Sequence, residues 1–214
     1  MTTTWWQPVD YYCERTDASF WAEPVNAITN VAFLLAAAVA FVQWRRHRGH
    51  DLPTLTLIVI TGLIAFGSFA FHTLATRGAV LLDVVPIAVF VYGYLLLALR
   101  RFLRVPMPIA LAIVLVFVGS SQALDQVTPD AFLNGSGEYL LPLAALIIVG
   151  LLTVRDHGWA ILLAAAVFTI SLVFRSIDQA ICAAFPLGTH FVWHLLNALV
   201  LYILLQTALS GPEA

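Results

Sequence analysis

Apolar residues in this chain come in long runs, separated by short groups of arginines, acids, prolines and glycines. Most runs are about 20 residues long, the length an α-helix needs to cross ~30 Å of hydrocarbon. They predict helices over about 24–44, 53–73, 79–100, 106–124, 138–154, 158–174 and 187–209. The expected fold class is all-α: a seven-transmembrane-helix bundle forming one integral-membrane domain over residues 1–214. Residues 1–23 form an outer interfacial segment ahead of the first run. The closest pair of runs is split only by Val154, Arg155, Asp156, His157 and Gly158. Arg155 and Asp156 are costly in hydrocarbon, so this link reads as a tight turn between antiparallel helices. The polar and aromatic N-terminus lacks a basic stretch followed by an apolar core, and no cleavable signal peptide is expected.

Composition agrees with the pattern. Of the 214 residues, 61% are hydrophobic and 10% charged, whereas soluble domains carry roughly 25% charged residues. Such a chain has too few polar side chains to cover a water-soluble globule, and its composition, with two cysteines, also excludes a disordered chain and a disulfide-rich secreted scaffold. Its formal net charge of -2 offers no basic footprint for nucleic acid.

Every basic residue is Arg. Arg45, Arg46, Arg48, Arg100, Arg101, Arg104 and Arg155 fall in loops on one side of the expected membrane. The other side receives Arg15, Arg77 and Arg175 with most of the acids, among them Asp10, Glu14, Asp17, Asp125, Asp130, Glu138 and Asp178. The positive-inside rule then puts the N-terminus outside and the C-terminus in the cytoplasm. Trp5, Trp6, Tyr11, Tyr12, Phe20 and Trp21 crowd the outer segment, where amphipathic rings settle at headgroup level. The lack of Lys beside abundant Ala, Leu and Arg points to a bacterial cell membrane.

His47, His50 and His157 sit in arginine-bearing loops and read as solvated. His72, His190 and His194 instead fall at the outer ends of the second and seventh predicted helices. Ionisable groups in a span are expensive and usually face the bundle interior with a partner. Residues four apart share a helix face, so His190 and His194 can grip one ion together. Helical His-x-x-x-His is a two-ligand geometry for zinc, and His72 supplies a third ligand at the same depth, leaving the fourth position for water. The alternative is three core histidines hydrogen-bonded to carbonyls or hydroxyls.

Asp83 lies in the apolar stretch Leu81–Val85, where an unpaired carboxylate is penalised. Ser68 is four residues before His72, on the same face. Three neutral imidazoles leave most of the charge on Zn2+ uncompensated, so a bound water can ionise near pH 7. Phe191 follows His190, so the proton shuttle must come from another helix. Asp83 is assigned that role, and Ser68 orients the water or donates to the developing oxyanion.

The pattern Ser68-x-x-x-His72, then Asp83, then His190-x-x-x-His194 resembles the alkaline ceramidase family, part of a superfamily of seven-helix membrane hydrolases that includes adiponectin-receptor-like proteins. Tyr12-Cys13-Glu14 and Ala22-Glu23-Pro24-Val25-Asn26 look like that family's N-terminal stretch. The resemblance implies zinc on the three histidines, with Ser68 and Asp83 around the zinc-bound water. It also implies Ca2+ on the N-terminal segment. Glu14 and Glu23 match that calcium pattern; Asp10 is displaced by one residue, and Thr16 beside Asp17 stands where the family has asparagine. The bland reading is an acidic solvated segment.

Cys13 and Cys182 both fall on the outer side, where an oxidising compartment permits a disulfide; two unpaired buried thiols are the alternative. Arg175 and Asp178, three residues apart, are expected to form a local ion pair near the outer surface; a role toward a substrate headgroup is the alternative. The function expected first is ceramidase-like, zinc-dependent hydrolysis of a lipid amide drawn from the bilayer, releasing a fatty acid and a long-chain amine. An esterase or phospholipase using the same site, or a receptor-like protein with structural zinc, are the alternatives. The sequence carries no mark of oligomeric state.

Overall fold

The computed structural model describes residues 4–47, 49–129 and 132–211. Arg48 and Asp130, counted above toward the charge asymmetry, lie outside them. The chain is an all-α bundle: α1 (Pro24–Thr29), α2 (Val31–His47), α3 (Leu52–Leu74), α4 (Arg77–Arg101), α5 (Met107–Val127), α6 (Leu140–Leu152), α7 (Gly158–Ile177) and α8 (His190–Ser210). Among the described residues six spans are long and apolar enough to cross a membrane, α1 and α2 counting as one over Pro24–Arg46. A shorter apolar helix, Gly137–Leu152, begins with a 3-10 turn at Gly137–Tyr139 and continues as α6.

The expected first helix is interrupted at Asn30. Thr29 Oγ1 donates to the carbonyls of Val25 (2.8 Å) and Asn26 (3.0 Å), and Asn30 Nδ2 donates to Asn26 O (2.9 Å). Side chains that compete for helix carbonyls loosen the local ladder. The break leaves Thr29 near the site described below.

Several helix starts are capped by carboxylates or hydroxyls that satisfy orphan first-turn N–H groups. Asp51 accepts from Thr54 N (3.2 Å) at α3, and Thr76 Oγ1 from Ala79 N (3.3 Å) at α4. Two caps come from distant chain: Glu14 accepts from Val25 N (2.7 Å) and Asn26 N (2.8 Å), and Asp178 from Thr189 N (2.6 Å) and His190 N (2.9 Å). These borrowed caps fasten the N-terminal segment and the α7–α8 loop to the same end of the bundle.

In the bundle α3 packs against α2 and α4, α8 against α2 and α7, and α6 against α7, while α5 lies outside α4. Phe33, Ile64, Phe90, Ile161 and Leu205 belong to one buried cluster between them. Gly67 permits the closest approach of α3 and α4: a Cβ there would collide with the Leu82 carbonyl. Small residues let membrane helices meet backbone to backbone, and here that closeness brings the residue after Leu82, Asp83, toward α3.

The N-terminal segment crosses the α3–α4 turn. Val9 N donates to Ala75 O (2.8 Å), Arg77 N to Gln7 O (3.1 Å) and Gly78 N to Trp5 O (2.9 Å), with an isolated antiparallel bridge between Pro8 and Thr76. Ala75 adopts left-handed backbone (φ 43°) as α3 ends. A disulfide joins Cys13 to Cys182, with Cα atoms 5.3 Å apart.

At the opposite end Arg101 makes a two-pronged pair with Asp51 (Nη1–Oδ2 2.9 Å, Nη2–Oδ1 2.8 Å), and Nη1 also donates to Thr54 Oγ1 and Ala208 O. Burial pushes the Asp51 carboxyl up, but hydrogen bonds from Arg101 and Thr54 outweigh it and hold it below the usual carboxylate range. This cluster ties α3, α4 and α8 together.

Candidate metal centre

His72 ends α3, and His190 and His194 open α8, all at the end of the bundle covered by the N-terminal segment. Their exposures are 0%, 2% and 2%. One ligand-capable atom from each lies within 4.8 Å of the others, and among the described residues this is the group of His, Cys, Asp and Glu side chains able to hold an ion. The three histidines singled out by spacing therefore converge.

The hydrogen bonds behind two of the rings fix which nitrogens face inward. His72 Nδ1 lies 2.6 Å from Glu23 Oε2. Burial pushes the Glu23 carboxyl up, but hydrogen bonds from His72, Arg15 and Asn26 hold it below the usual range, so it accepts and His72 carries its proton on Nδ1. His194 Nδ1 lies 2.9 Å from Thr29 Oγ1. With its hydroxyl proton on the Val25 or Asn26 carbonyl, Thr29 leaves its oxygen to accept from His194 Nδ1, the tautomer that a metal on Nε2 requires.

The two Nε2 atoms face each other 3.1 Å apart, and in these tautomers both carry lone pairs. Two lone pairs at that distance repel unless a cation or a proton sits between them. His190 Nδ1 is buried without a hydrogen-bond partner. With Zn–N bonds of about 2.0–2.1 Å, tetrahedral ligand nitrogens stand roughly 3.4 Å apart, so the observed spacing suits such an ion. Three imidazoles, two braced by oxygen acceptors, form the donor set of a borderline-soft divalent metal.

The His190 and His194 rings line a cavity of about 190 Å³ together with Ser68, Asp83, Glu138 and Arg175. Asp83 Oδ1 is buried without a hydrogen-bond partner among the described residues. The carboxyl does lie within electrostatic reach of His72 and Arg175 and beside the Ser68 hydroxyl. The cavity adjoins an apolar chamber in the bundle, with Phe33, Ile64, Tyr139 and Trp193 in the walls of both. A cleft bordered by α4, α5 and the start of α6 shares Val84, Glu138 and Tyr139 with it.

The residues expected around calcium carry other hydrogen bonds or lie exposed. Asp10, Thr16 and Asp17 are exposed, and Asp17 Oδ1 accepts from Ser19 N (2.7 Å). Both Glu14 oxygens cap α1. Glu23 is taken up by Arg15 Nε (2.5 Å), Asn26 Nδ2 (3.2 Å) and His72.

The expected Arg175–Asp178 pair does not form. Asp178 follows the last residue of α7, Ile177, still in helical backbone (φ -47°, ψ -61°), and its carboxylate is claimed by other donors. Asp178 instead accepts from Cys13 N (3.0 Å), Thr189 N and His190 N, while Arg175 Nη1 donates to Ser136 Oγ (2.6 Å) and Asn134 O (3.2 Å).

Sequence reasoning missed three contributors: Glu23 as a brace for His72, Thr29 as a brace for His194, and Tyr12. The Tyr12 ring stacks on His190 at 3.5 Å between centroids, so the segment tied by the disulfide touches a candidate ligand. The pairing Arg15 Nη2 to His72 O (2.9 Å) adds a second tie.

No known protein family matches the chain by its sequence, and no curated protein is significantly similar to it.

Proposed function

We propose that this chain is a zinc-dependent membrane hydrolase of lipid amides, ceramidase-like in its reaction, cleaving a linear C–N bond to release a fatty acid and a long-chain amine. The observation that carries the reading is the convergence of three imidazoles, with no fourth His, Cys, Asp or Glu in the group among the described residues, beside a cavity that Ser68 and Asp83 also line. Structural zinc is usually closed by four protein ligands, whereas a catalytic site keeps a position open.

When bound, zinc supplies polarisation of the scissile carbonyl and acidification of a water beside it. The remaining work falls to the chain's own side chains. Asp83 takes a proton from the attacking water and returns it to the leaving nitrogen. Ser68 Oγ donates a hydrogen bond to the carbonyl oxygen as charge grows there. Glu23 and Thr29 hold the His72 and His194 rings in the tautomer that aims Nε2 inward. The apolar chamber takes the acyl chain, and the cleft by α4, α5 and α6 gives the lipid a sideways route from the bilayer. The arginine asymmetry supports an outer-face position for this end of the bundle in a cell membrane. The resemblance to alkaline ceramidases in Ser68, His72, Asp83, His190 and His194 points to the same chemistry.

The test is fatty-acid release by purified protein from a panel of lipid amides and esters, before and after chelation. Release from amides, lost on chelation and restored by zinc, is expected. Release from esters alone would change the bond assigned, and no release from any substrate would leave a structural ion.

A further inference from the structure

The hydrolase reading leaves Arg175 without a task. Arg175 reaches the metal cavity from near the end of α7, together with His190, His194, Asp83 and Glu138, and both carboxyls lie within electrostatic reach of its guanidinium. Its Nη1 is spent on Ser136 Oγ and Asn134 O, both neutral acceptors. Nε and Nη2 make no hydrogen bond to the described residues. The guanidinium carbon lies over the Tyr139 ring (5.1 Å to centroid) and near the Trp193 ring (5.4 Å). Cation–π contact holds a guanidinium by its faces and leaves its N–H edge free. Tyr139 and Trp193 also line the apolar chamber. A cationic donor edge thus stands at the junction of a polar cavity and a space suited to an acyl chain.

We infer that Arg175 forms a carboxylate subsite, holding the head of a long-chain fatty acid while its tail lies in the apolar chamber. Amides and alcohols of equal chain length present the same tail without the charge. The free Nε and Nη2 edge can meet both oxygens of a carboxylate, a match that a lysine ammonium cannot reproduce. The inference rests on the lipid-amide reading for its meaning, since a fatty acid is then the retained product and a competitive inhibitor. Its geometry does not depend on that reading.

The experiment measures retention of radiolabelled palmitate and hexadecanol by the full-length protein purified in detergent, with metal and after chelation. Palmitate should bind roughly 10- to 100-fold more tightly than hexadecanol, the range for hydrogen bonds to charged groups. That preference should persist after chelation, fall to near unity in Arg175→Gln and survive only in part in Arg175→Lys. Equal retention of the two lipids by the wild type overturns the subsite without recourse to any variant. A preference abolished by chelation assigns the carboxylate to the ion and also overturns it. Palmitate preference in a protein that hydrolyses nothing supports the subsite and removes only the hydrolase reading.

Discussion

Gly67→Ala probes how the close approach of α3 and α4 serves the site. In an ordinary helix interior this change gains about 0.5–1 kcal/mol through backbone entropy. At Gly67 the new Cβ falls on the Leu82 carbonyl, with Asp83 N 3.4 Å away. Both neighbours are backbone atoms of α4, so no rotamer change relieves the clash and α4 must retreat by about 1 Å. Overpacking of this kind costs about 1–3 kcal/mol, which outweighs the entropy gain. The retreat carries Asp83 away from His72, and misplacement by ~1 Å costs on the order of 100-fold in rate. The ligands stay put, because they sit on α3 and α8. The expected outcome is a lower Tm in detergent and fatty-acid release reduced ~100-fold, with metal content unchanged. Wild-type turnover with an equal or higher Tm would refute the argument that this glycine sets the position of Asp83.

Glu23→Gln removes the strong acceptor behind His72 and should weaken zinc binding by about 10- to 100-fold, read by chelator competition; unchanged affinity would show that Glu23 does not orient the ring. Arg101→Ala leaves Asp51 buried and unpaired and should cost about 3–5 kcal/mol of stability, measured by thermal unfolding. The pH dependence of that pair follows from the depressed Asp51 carboxyl: its stabilisation is present above the unfolded carboxylate value of about 3.9 and is lost as pH falls through the lower folded value. The Tm advantage of wild type over Asp51→Asn should therefore shrink below about pH 4, and a constant advantage would contradict it. Cys13→Ser opens a bridge spanning 169 residues of sequence and should lower stability by about 2–4 kcal/mol, read as a fall in Tm against wild type.

The helices were legible because each is a long apolar run ended by charge, and α3, α4 and α8 begin and end within about three residues of expectation. The break at Asn30 was not, since it comes from side chains competing for carbonyls inside an otherwise continuous apolar segment. The α6 helix is shorter than its apolar run because the run opens with a 3-10 turn. His72, His190 and His194 were legible because a histidine inside an apolar run is costly without a purpose. Their braces were not. Thr29 looks like any small polar residue in a membrane helix, and its role depends on spending its proton on a carbonyl behind it. Glu23 sits 49 positions before His72, and only the fold-back of the N-terminal segment joins them. The same fold-back explains why acids expected around calcium serve as a helix cap and a histidine brace. Asp178 was expected to pair with Arg175 from spacing alone, which does not reveal that the first N–H groups of α8 claim its carboxylate.

The account stands or falls on two facing lone pairs and a third imidazole meeting at one cation. Zinc-edge X-ray absorption on the purified protein, with metal content measured on the same sample, addresses that meeting directly. The account predicts one zinc per chain, with three imidazole nitrogens and one further light atom at about 2.0–2.1 Å, and loss of the signal in His194→Ala. A protein that takes up no zinc, or holds it without imidazole scattering, would contradict it.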